Sequence, residues 1–208
     1  MKNALLTLLL MFSISPAIAN EAELLEVLSK IQASPQATKQ AISDGNERAL
    51  LCKYCHGSDG NSVKSSIPNL ASQNVVYLIR QFELFARGER SNKTMNQIAK
   101  LLTPQEKVNI ALYFSSQPVK PQVTYKSELA EEGKRLFSVK CFFCHGREGH
   151  GKEDTPYIAG QPSEYIIRTL SSYRSVVAKR AETAMSRVAR ALKPAEVEAL
   201  TAYLTTLK

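Results

Sequence analysis

The strongest constraint on this chain is a short cysteine and histidine motif that occurs twice. Two cysteines separated by two residues are followed directly by a histidine, in CKYCHG at residues 52–57 and in CFFCHG at residues 141–146. The motif residues are Cys52, Cys55 and His56 in the first copy, and Cys141, Cys144 and His145 in the second. These are all four cysteines of the 208-residue chain, so none is left over for a long-range disulfide.

The sequence around the motif is repeated as well. Sliding one half over the other pairs further residues at offsets between 88 and 90. These pairs are Gly45 and Gly133, Pro68 and Pro156, Tyr77 and Tyr165, Met95 and Met185, Pro104 and Pro194, and Tyr113 and Tyr203. An offset this steady indicates two copies of one module.

Both copies have the hydrophobic pattern of helices. In NVVYLIRQFELFARG, residues 74–88, apolar residues recur at spacings of three and four, and residues 163–177 repeat the pattern. A start signal at Thr103-Pro104-Gln105-Glu106 predicts a helix to about Ser115, and the segment from Lys193 repeats this signal without the capping hydroxyl. No alternating strand pattern of useful length appears. We therefore predict an all-α fold of two tandem small domains, each built of short helices.

Composition and the positions of prolines and loop residues divide the chain into five segments. We predict a signal peptide at 1–19, an N-terminal helical extension at 20–43, a first domain at 44–116, a linker at 117–127 and a second domain at 128–208. The linker, QPVKPQVTYKS, holds two prolines and no apolar periodicity. The extension has no counterpart in the second copy. The spacing of its apolar residues predicts one amphipathic helix packed on the first domain. These residues are Leu24, Val27, Leu28 and Ile31.

The first residues have the pattern of an export signal. Lys2 precedes an apolar stretch, and the small-residue triplet Ala17-Ile18-Ala19 follows it. Cleavage after Ala19 would release a soluble protein outside the cytoplasm and lower the net charge from +8 to +7, because Lys2 is the only charged residue removed. The remaining lysines and arginines are scattered without an aromatic-interleaved stripe, so we expect no nucleic-acid partner.

Four kinds of chemistry use cysteines at this spacing. Structural zinc needs four protein ligands, whereas each copy offers two cysteines and one obvious histidine. A thioredoxin-like dithiol needs a βαβ setting, and a disulfide within each pair would leave the histidines unexplained. Covalent haem attachment uses both features, because each cysteine bonds a former vinyl group of the porphyrin and the adjacent histidine binds the iron. We therefore predict two haem c groups.

A histidine-bound iron needs either a sixth ligand or an open site. Beyond residue 19 the chain has only two methionines, Met95 and Met185, which lie 43 and 44 residues after the first cysteine of their motifs. Methionine often only fills a core, but one per repeat in register favours thioether ligation of the iron. We predict His56 and Met95 as axial ligands of one iron, and His145 and Met185 of the other. Such an iron exchanges electrons without binding substrate, so we predict no catalytic residues.

Three further residues near the motifs have simpler interpretations. His150, in GREGHGK, is expected to be a solvent-facing loop residue and not a ligand. Pro68 and Pro156 follow the motif histidines by 12 and 11 residues. One interpretation is that both prolines are ordinary loop residues. The other is that a backbone carbonyl at each position accepts a hydrogen bond from the second imidazole N–H and orients the ligand.

These residues resemble a known family, the dihaem cytochromes c of the c4 type, and more broadly class I cytochromes c. The resemblance covers about residues 44–208 and is carried by both motifs, by IPNLASQ and PYIAGQP, and by MNQIAKLLTPQEKVNIALYF and MSRVARALKPAEVEALTAYL. It implies two cytochrome c domains facing each other and periplasmic electron transfer to terminal oxidases or reductases. The resemblance implies that Cys52, Cys55, His56 and Met95 hold one haem, and Cys141, Cys144, His145 and Met185 the other.

The leading hypothesis is an electron carrier, not an enzyme, between respiratory-chain donors and a terminal oxidase or reductase. We expect redox protein partners, such as a membrane oxidase, a reductase or a quinol-oxidising complex. Four basic residues form a cluster around Met185, namely Lys179, Arg180, Arg187 and Arg190. This cluster could bind an acidic docking face of a partner. A monomer with peripheral membrane association fits this role. The alternatives are a dihaem enzyme of the peroxidase or thiosulfate-oxidising type, and a cytochrome subunit of a larger oxidoreductase complex.

Overall fold

A computed structural model describes residues 21–120, 122–175 and 183–208, and the predicted signal peptide lies outside this range. The first half (21–120) contains helices α1 (Glu21–Gln32), α2 (Pro35–Arg48), α3 (Leu50–His56), α4 (Val75–Ala86), α5 (Lys93–Leu101) and α6 (Pro104–Ser115). The second half (122–175 and 183–208) contains a 3-10 turn (Ser127–Leu129), then α7 (Ala130–Lys140), α8 (Phe142–His145), α9 (Ser163–Arg174), α10 (Ala184–Arg190) and α11 (Pro194–Leu204). The described residues form no strand beyond an isolated bridge between Lys152 and Thr155. The all-α prediction is confirmed.

The N-terminal extension packs on the first half, as predicted. Leu24, Leu28 and Ile31 of α1 are buried in the same apolar core as α4 and α6. A second helix begins within the extension, because the Ser34 hydroxyl accepts a hydrogen bond from the Ala37 N–H and Pro35 occupies the first helical position. This helix, α2, continues to Arg48, so the predicted limit at residue 44 falls inside it.

The same close helix crossing occurs in both halves. Helix α2 packs against α6, and α7 packs against α11. A Cβ atom on Gly45 would lie 2.0 Å from the carbonyl oxygen of Asn109, and one on Gly133 would lie 1.9 Å from that of Ala199. Only glycine allows this approach of the two backbones, which explains why the repeat pairs these two positions.

The predicted start of α6 is confirmed in detail. The Glu106 N–H donates to the Thr103 hydroxyl, and the Thr103 N–H donates to the Glu106 carboxylate at 2.8 Å. At the start of α11 only the second of these bonds has an equivalent, from the Lys193 N–H to Glu196 at 2.7 Å. Each glutamate also pairs with a basic residue that precedes the motif, Arg48 in the first half and Lys140 in the second.

One buried ion pair distinguishes the first half from the second. The Lys107 ammonium on α6 lies 2.6 Å from Oε1 of Glu83 on α4, and both side chains are almost entirely buried. The repeat offsets place Ser171 and Val197 at these positions in the second half. The second copy therefore has no counterpart of this pair.

The segment after α6 is held against the first half. The Asn61 side chain donates to the Pro118 carbonyl and accepts from the Lys120 N–H, while the Ser72 N–H donates to the Gln117 carbonyl. Within the described residues, no helix is long and apolar enough to cross a membrane.

Candidate haem sites

The first motif occupies α3 and the turn that ends it. Cys52 and Cys55 are half-buried. His56 is the last residue of the helix, and Gly57 then reverses the chain with a φ of +86°, a conformation that favours glycine. The turn leaves the His56 ring 8% exposed, directed into the first half.

The second motif has the same construction. Cys141 ends α7, and α8 places Cys144 and His145 one turn further on. Gly146, at a φ of +73°, takes the position of Gly57. His145 is also 8% exposed, whereas Cys144 is exposed.

Each motif histidine is held by one ring nitrogen. Nδ1 of His56 lies 2.9 Å from the Pro68 carbonyl oxygen, and Nδ1 of His145 lies 3.0 Å from the Pro156 carbonyl oxygen. A carbonyl can only accept, so the proton sits on Nδ1 and the lone pair of Nε2 is left for a metal. The interpretation of both prolines as sources of an orienting carbonyl is therefore confirmed.

Burial favours the neutral form of both imidazoles. It lowers the pKa of His56 and of His145, and the proline carbonyl opposes this lowering only in part. The positive charge of Arg90 lowers the pKa of His56 further. A neutral imidazole with a fixed tautomer is the form that binds iron.

The two methionines lie on short capped helices beside the cores. The Asn92 side chain accepts from the Met95 N–H at the start of α5, and Thr183 caps α10 ahead of Met185. Met95 packs against the same apolar cluster as Cys52, and Met185 against the same cluster as Cys141. The structure thus brings each methionine to the core that its own motif borders.

The residues present fit a covalently attached haem better than a bare metal ion. Burial raises the pKa of the Cys52 thiol, and raises that of Cys141 to about 11. Two cysteines and one histidine in each motif supply both thioether anchors and an iron ligand of a haem, whereas a structural zinc site needs four protein ligands. In the parts of the chain that the structure describes, no group of three or more histidine, cysteine, aspartate or glutamate side chains could hold a metal ion.

His150 is a loop residue, as expected, with its side chain 44% exposed. Its ring stacks on Tyr157 with centroids 4.6 Å apart, and Nε2 lies 2.8 Å from the Lys208 carbonyl oxygen. The first contact holds the loop after the second motif against Tyr157, and the second holds it against Lys208.

Sequence reasoning missed the contacts between the halves. Arg90 donates hydrogen bonds to Gln81 at 2.7 Å and to the Tyr165 hydroxyl of the second half at 3.2 Å. Burial disfavours its charge, but nearby tyrosines, Tyr165 foremost, outweigh this and raise the pKa of Arg90. A second set of cross-half bonds comes from Gln73 and Gln161, which match at an offset of 88. This match in the repeat was the one sequence signal that could have pointed to these glutamines.

Comparison with known proteins identifies the family of the chain. The family profile described as Cytochrome c matches residues 130–208. A cytochrome c4 from Thiocapsa roseopersicina is 30% identical over 187 residues, which cover 84% of this chain and 96% of the relative. The Thiosulfate dehydrogenase electron acceptor of Stutzerimonas stutzeri is 29% identical over 196 residues, 87% of this chain and 91% of that protein.

The crystal structure of reduced recombinant cytochrome c4 from Pseudomonas stutzeri has the same fold. It superposes with a TM-score of 0.71 at 30% identity, covering 79% of this chain and 97% of that one. The predicted tandem cytochrome c domains are confirmed by this match. The chain therefore belongs to the cytochrome c4 family, and it is a dihaem electron-transfer cytochrome with two covalently bound haem c groups.

Proposed function

We propose that this protein carries single electrons between redox proteins in the periplasm, through two Met/His-ligated haems. The first haem is bound by Cys52, Cys55, His56 and Met95, and the second by Cys141, Cys144, His145 and Met185. The observation that carries the proposal is the histidine geometry. In each half the proline carbonyl occupies Nδ1 and leaves Nε2 for the iron, beside a core that also contacts the methionine.

A bound haem would supply an iron that can accept and release one electron at a time. One electron enters from a reduced donor protein and one leaves to an oxidised acceptor, so no bond in a substrate is made or broken. The chain's own residues would hold the haem: the cysteines would anchor it, the proline carbonyls would orient the histidines, and the histidines and methionines would bind its iron. Each site borders an apolar core, which would limit the access of water to the iron ligands.

We propose the periplasm as the location because residues 1–19 have the pattern of a cleaved signal peptide. Our division into an extension at 20–43, domains at 44–116 and 128–208 and a linker at 117–127 is proposed on the same footing. The limit at residue 44 would separate the extension from the first domain, but it does not fall at a helix end, since α2 crosses it.

The proposed partners carry an acidic docking surface. Arg187 and Arg190 are exposed on α10, the helix of Met185. Lys179 and Arg180, the other members of the predicted basic cluster, lie outside the described residues. The donor is proposed to be a respiratory-chain protein and the acceptor a terminal oxidase or reductase. The similarity to a thiosulfate dehydrogenase electron acceptor supports a dehydrogenase as a further possible donor.

A redox titration of the purified holoprotein tests the proposal. We expect two c-type haems per chain, a methionine-to-ferric-iron charge-transfer band and two relatively high potentials. Met95→Ala should open one site, so that carbon monoxide binds to half of the reduced haem, whereas the unmodified protein should bind none rapidly. Rapid carbon monoxide binding or peroxide turnover by the unmodified protein would favour the enzyme alternative.

A further inference from the structure

One peptide group in each half makes two hydrogen bonds. Its carbonyl oxygen accepts from the candidate iron ligand, and its N–H donates to a side chain of the opposite half. In the first half this is the peptide between Pro68 and Asn69, whose carbonyl oxygen lies 2.9 Å from Nδ1 of His56. In the second half it is the peptide between Pro156 and Tyr157, whose carbonyl oxygen lies 3.0 Å from Nδ1 of His145. All described peptide bonds are trans, and a trans peptide points its C=O and N–H in opposite directions.

The N–H of each peptide donates to a glutamine of the other half. The Asn69 N–H donates to Oε1 of Gln161 at 3.0 Å, and Gln161 Nε2 donates back to the Asn69 carbonyl at 3.0 Å. The Tyr157 N–H donates to Oε1 of Gln73 at 2.8 Å, and Gln73 Nε2 donates back to the Tyr157 carbonyl at 2.8 Å. Donor and acceptor requirements therefore fix the orientation of both side-chain amides.

The arrangement is reciprocal and excludes water. Gln73 and Gln161 are equivalent in the repeat, and so are Asn69 and Tyr157, at an offset of 88. Each glutamine is 4% exposed. Inside a protein, hydrogen bonds in a chain polarise one another. An acceptor on the peptide N–H makes the peptide carbonyl a better acceptor for the histidine N–H.

We propose that Gln73 and Gln161 are positioning residues that tune the iron ligand of the opposite half. Gln73 acts on His145 through the 156–157 peptide, and Gln161 acts on His56 through the 68–69 peptide. A stronger bond at Nδ1 makes the imidazole a more basic ligand, which favours ferric iron and lowers the potential. Each half thus helps to set the potential of the other. This inference rests on the proposed ligation by both histidines.

The test compares Gln73→Leu with Gln161→Leu in the holoprotein. Gln73→Leu should raise the potential of the second haem only, and Gln161→Leu that of the first only. The equilibrium constant for electron exchange between the haems should therefore move by roughly threefold in opposite directions in the two variants. Potentials are read by redox titration, and the haem methyl resonances, assigned by contacts within each half, identify which site has changed.

Asn74→Ala is the matched control. Asn74 lies next to Gln73, and its side chain donates to the carbonyls of His150 and Thr155 in the second half, so neither bond involves the 156–157 peptide. It should loosen the same interface and leave both potentials unchanged. Gln73→Glu retains an acceptor for the Tyr157 N–H and should not raise the potential of the second haem, which keeps the test informative if a leucine variant folds poorly.

Two kinds of result would overturn the inference. One is an equal shift at both haems, or a shift at the haem of the mutated half, because general loosening of the interface would produce it. The other is unchanged potentials in both leucine variants. The proposed ligation is judged separately on the unmodified protein: loss of the methionine band or of low-spin histidine signals there would reject the ligand sets, whatever the variants do.

Discussion

The ammonium of Lys107 lies 2.6 Å from Oε1 of Glu83 in the interior of the first half. The second carboxylate oxygen of Glu83 is buried without a hydrogen-bond partner among the described residues. A buried ion pair contributes little net stability compared with apolar residues of similar size, but breaking it leaves a buried charge. The second copy, with Ser171 and Val197 at these positions, folds without such a pair.

Removing one partner should therefore cost far more than removing both. We expect Lys107→Met to lower the free energy of unfolding by about 3–5 kcal/mol, and the double variant Glu83→Leu/Lys107→Met to recover most of this loss. Denaturant unfolding of the holoprotein, followed by far-ultraviolet circular dichroism, measures both. Lys100→Met, at an exposed position on α5, is the control. A single variant as stable as this control would contradict the prediction.

The close helix crossings at Gly45 and Gly133 predict that replacing either glycine by alanine destabilises the protein to a similar extent. Gly45→Ala places a methyl group 2.0 Å from the Asn109 carbonyl oxygen, so α2 and α6 must separate. Overpacking of this kind costs about 1–3 kcal/mol, and Gly133→Ala should behave alike. Thermal unfolding of each variant is compared with that of Glu47→Ala, an exposed change on α2. Alanine variants with the same unfolding temperature as this control would contradict the prediction, because they would show that the helices separate at little cost in stability.

The start of α6 predicts a specific dependence of stability on pH. Partial burial disfavours the charge of Glu106, but the Thr103 N–H and the Arg48 guanidinium outweigh it and lower the pKa of this carboxyl. A lowered pKa in the folded state stabilises the protein above the unfolded value of about 4.3, and this stability is lost as the pH falls through the folded pKa.

Glu106→Gln should accordingly be less stable at pH 7, by about 1 kcal/mol or less because the pair is partly solvated. Glutamine can keep the capping bonds, so the variant isolates the charge. The difference from the unmodified protein should shrink as the pH is lowered below about 4.3. Denaturant unfolding at pH 7 and at pH 3.5 measures it, with Glu47→Gln as control. A difference that persists unchanged at low pH would assign the loss to packing.

Haem attachment in the two halves should be separable. Cys52→Ala/Cys55→Ala removes both thiols of the first motif, so the haem content should fall from two per chain to one, measured as the haem to protein ratio. Cys141→Ala/Cys144→Ala should give the same ratio with the other haem retained. The two products should differ in potential, since each keeps a different site. A variant that still binds two haems per chain would contradict the assignment of the anchors.

Local patterns in the sequence predicted much of the site. The spacing within each motif and the register of Met95 and Met185 depend on the chain alone, because a repeat brings equivalent residues to equivalent places. The capping residues at Thr103 and Glu106 and the apolar stripe of α1 are also local signals, and the structure confirms them. Less predictable was the start of α2 at Pro35, since the extension was expected to form one helix.

The sequence by itself determined the duplication, the helical class and the haem-binding motifs, because these follow from short-range spacing and periodicity. Only the tertiary structure decided which polar groups meet across distant segments. The bonds of Gln73 and Gln161 join residues 84 and 92 positions apart, and the Glu83 and Lys107 pair joins two helices. Such contacts depend on how helices and halves pack together, where a buried polar group must find its partner wherever the fold places one.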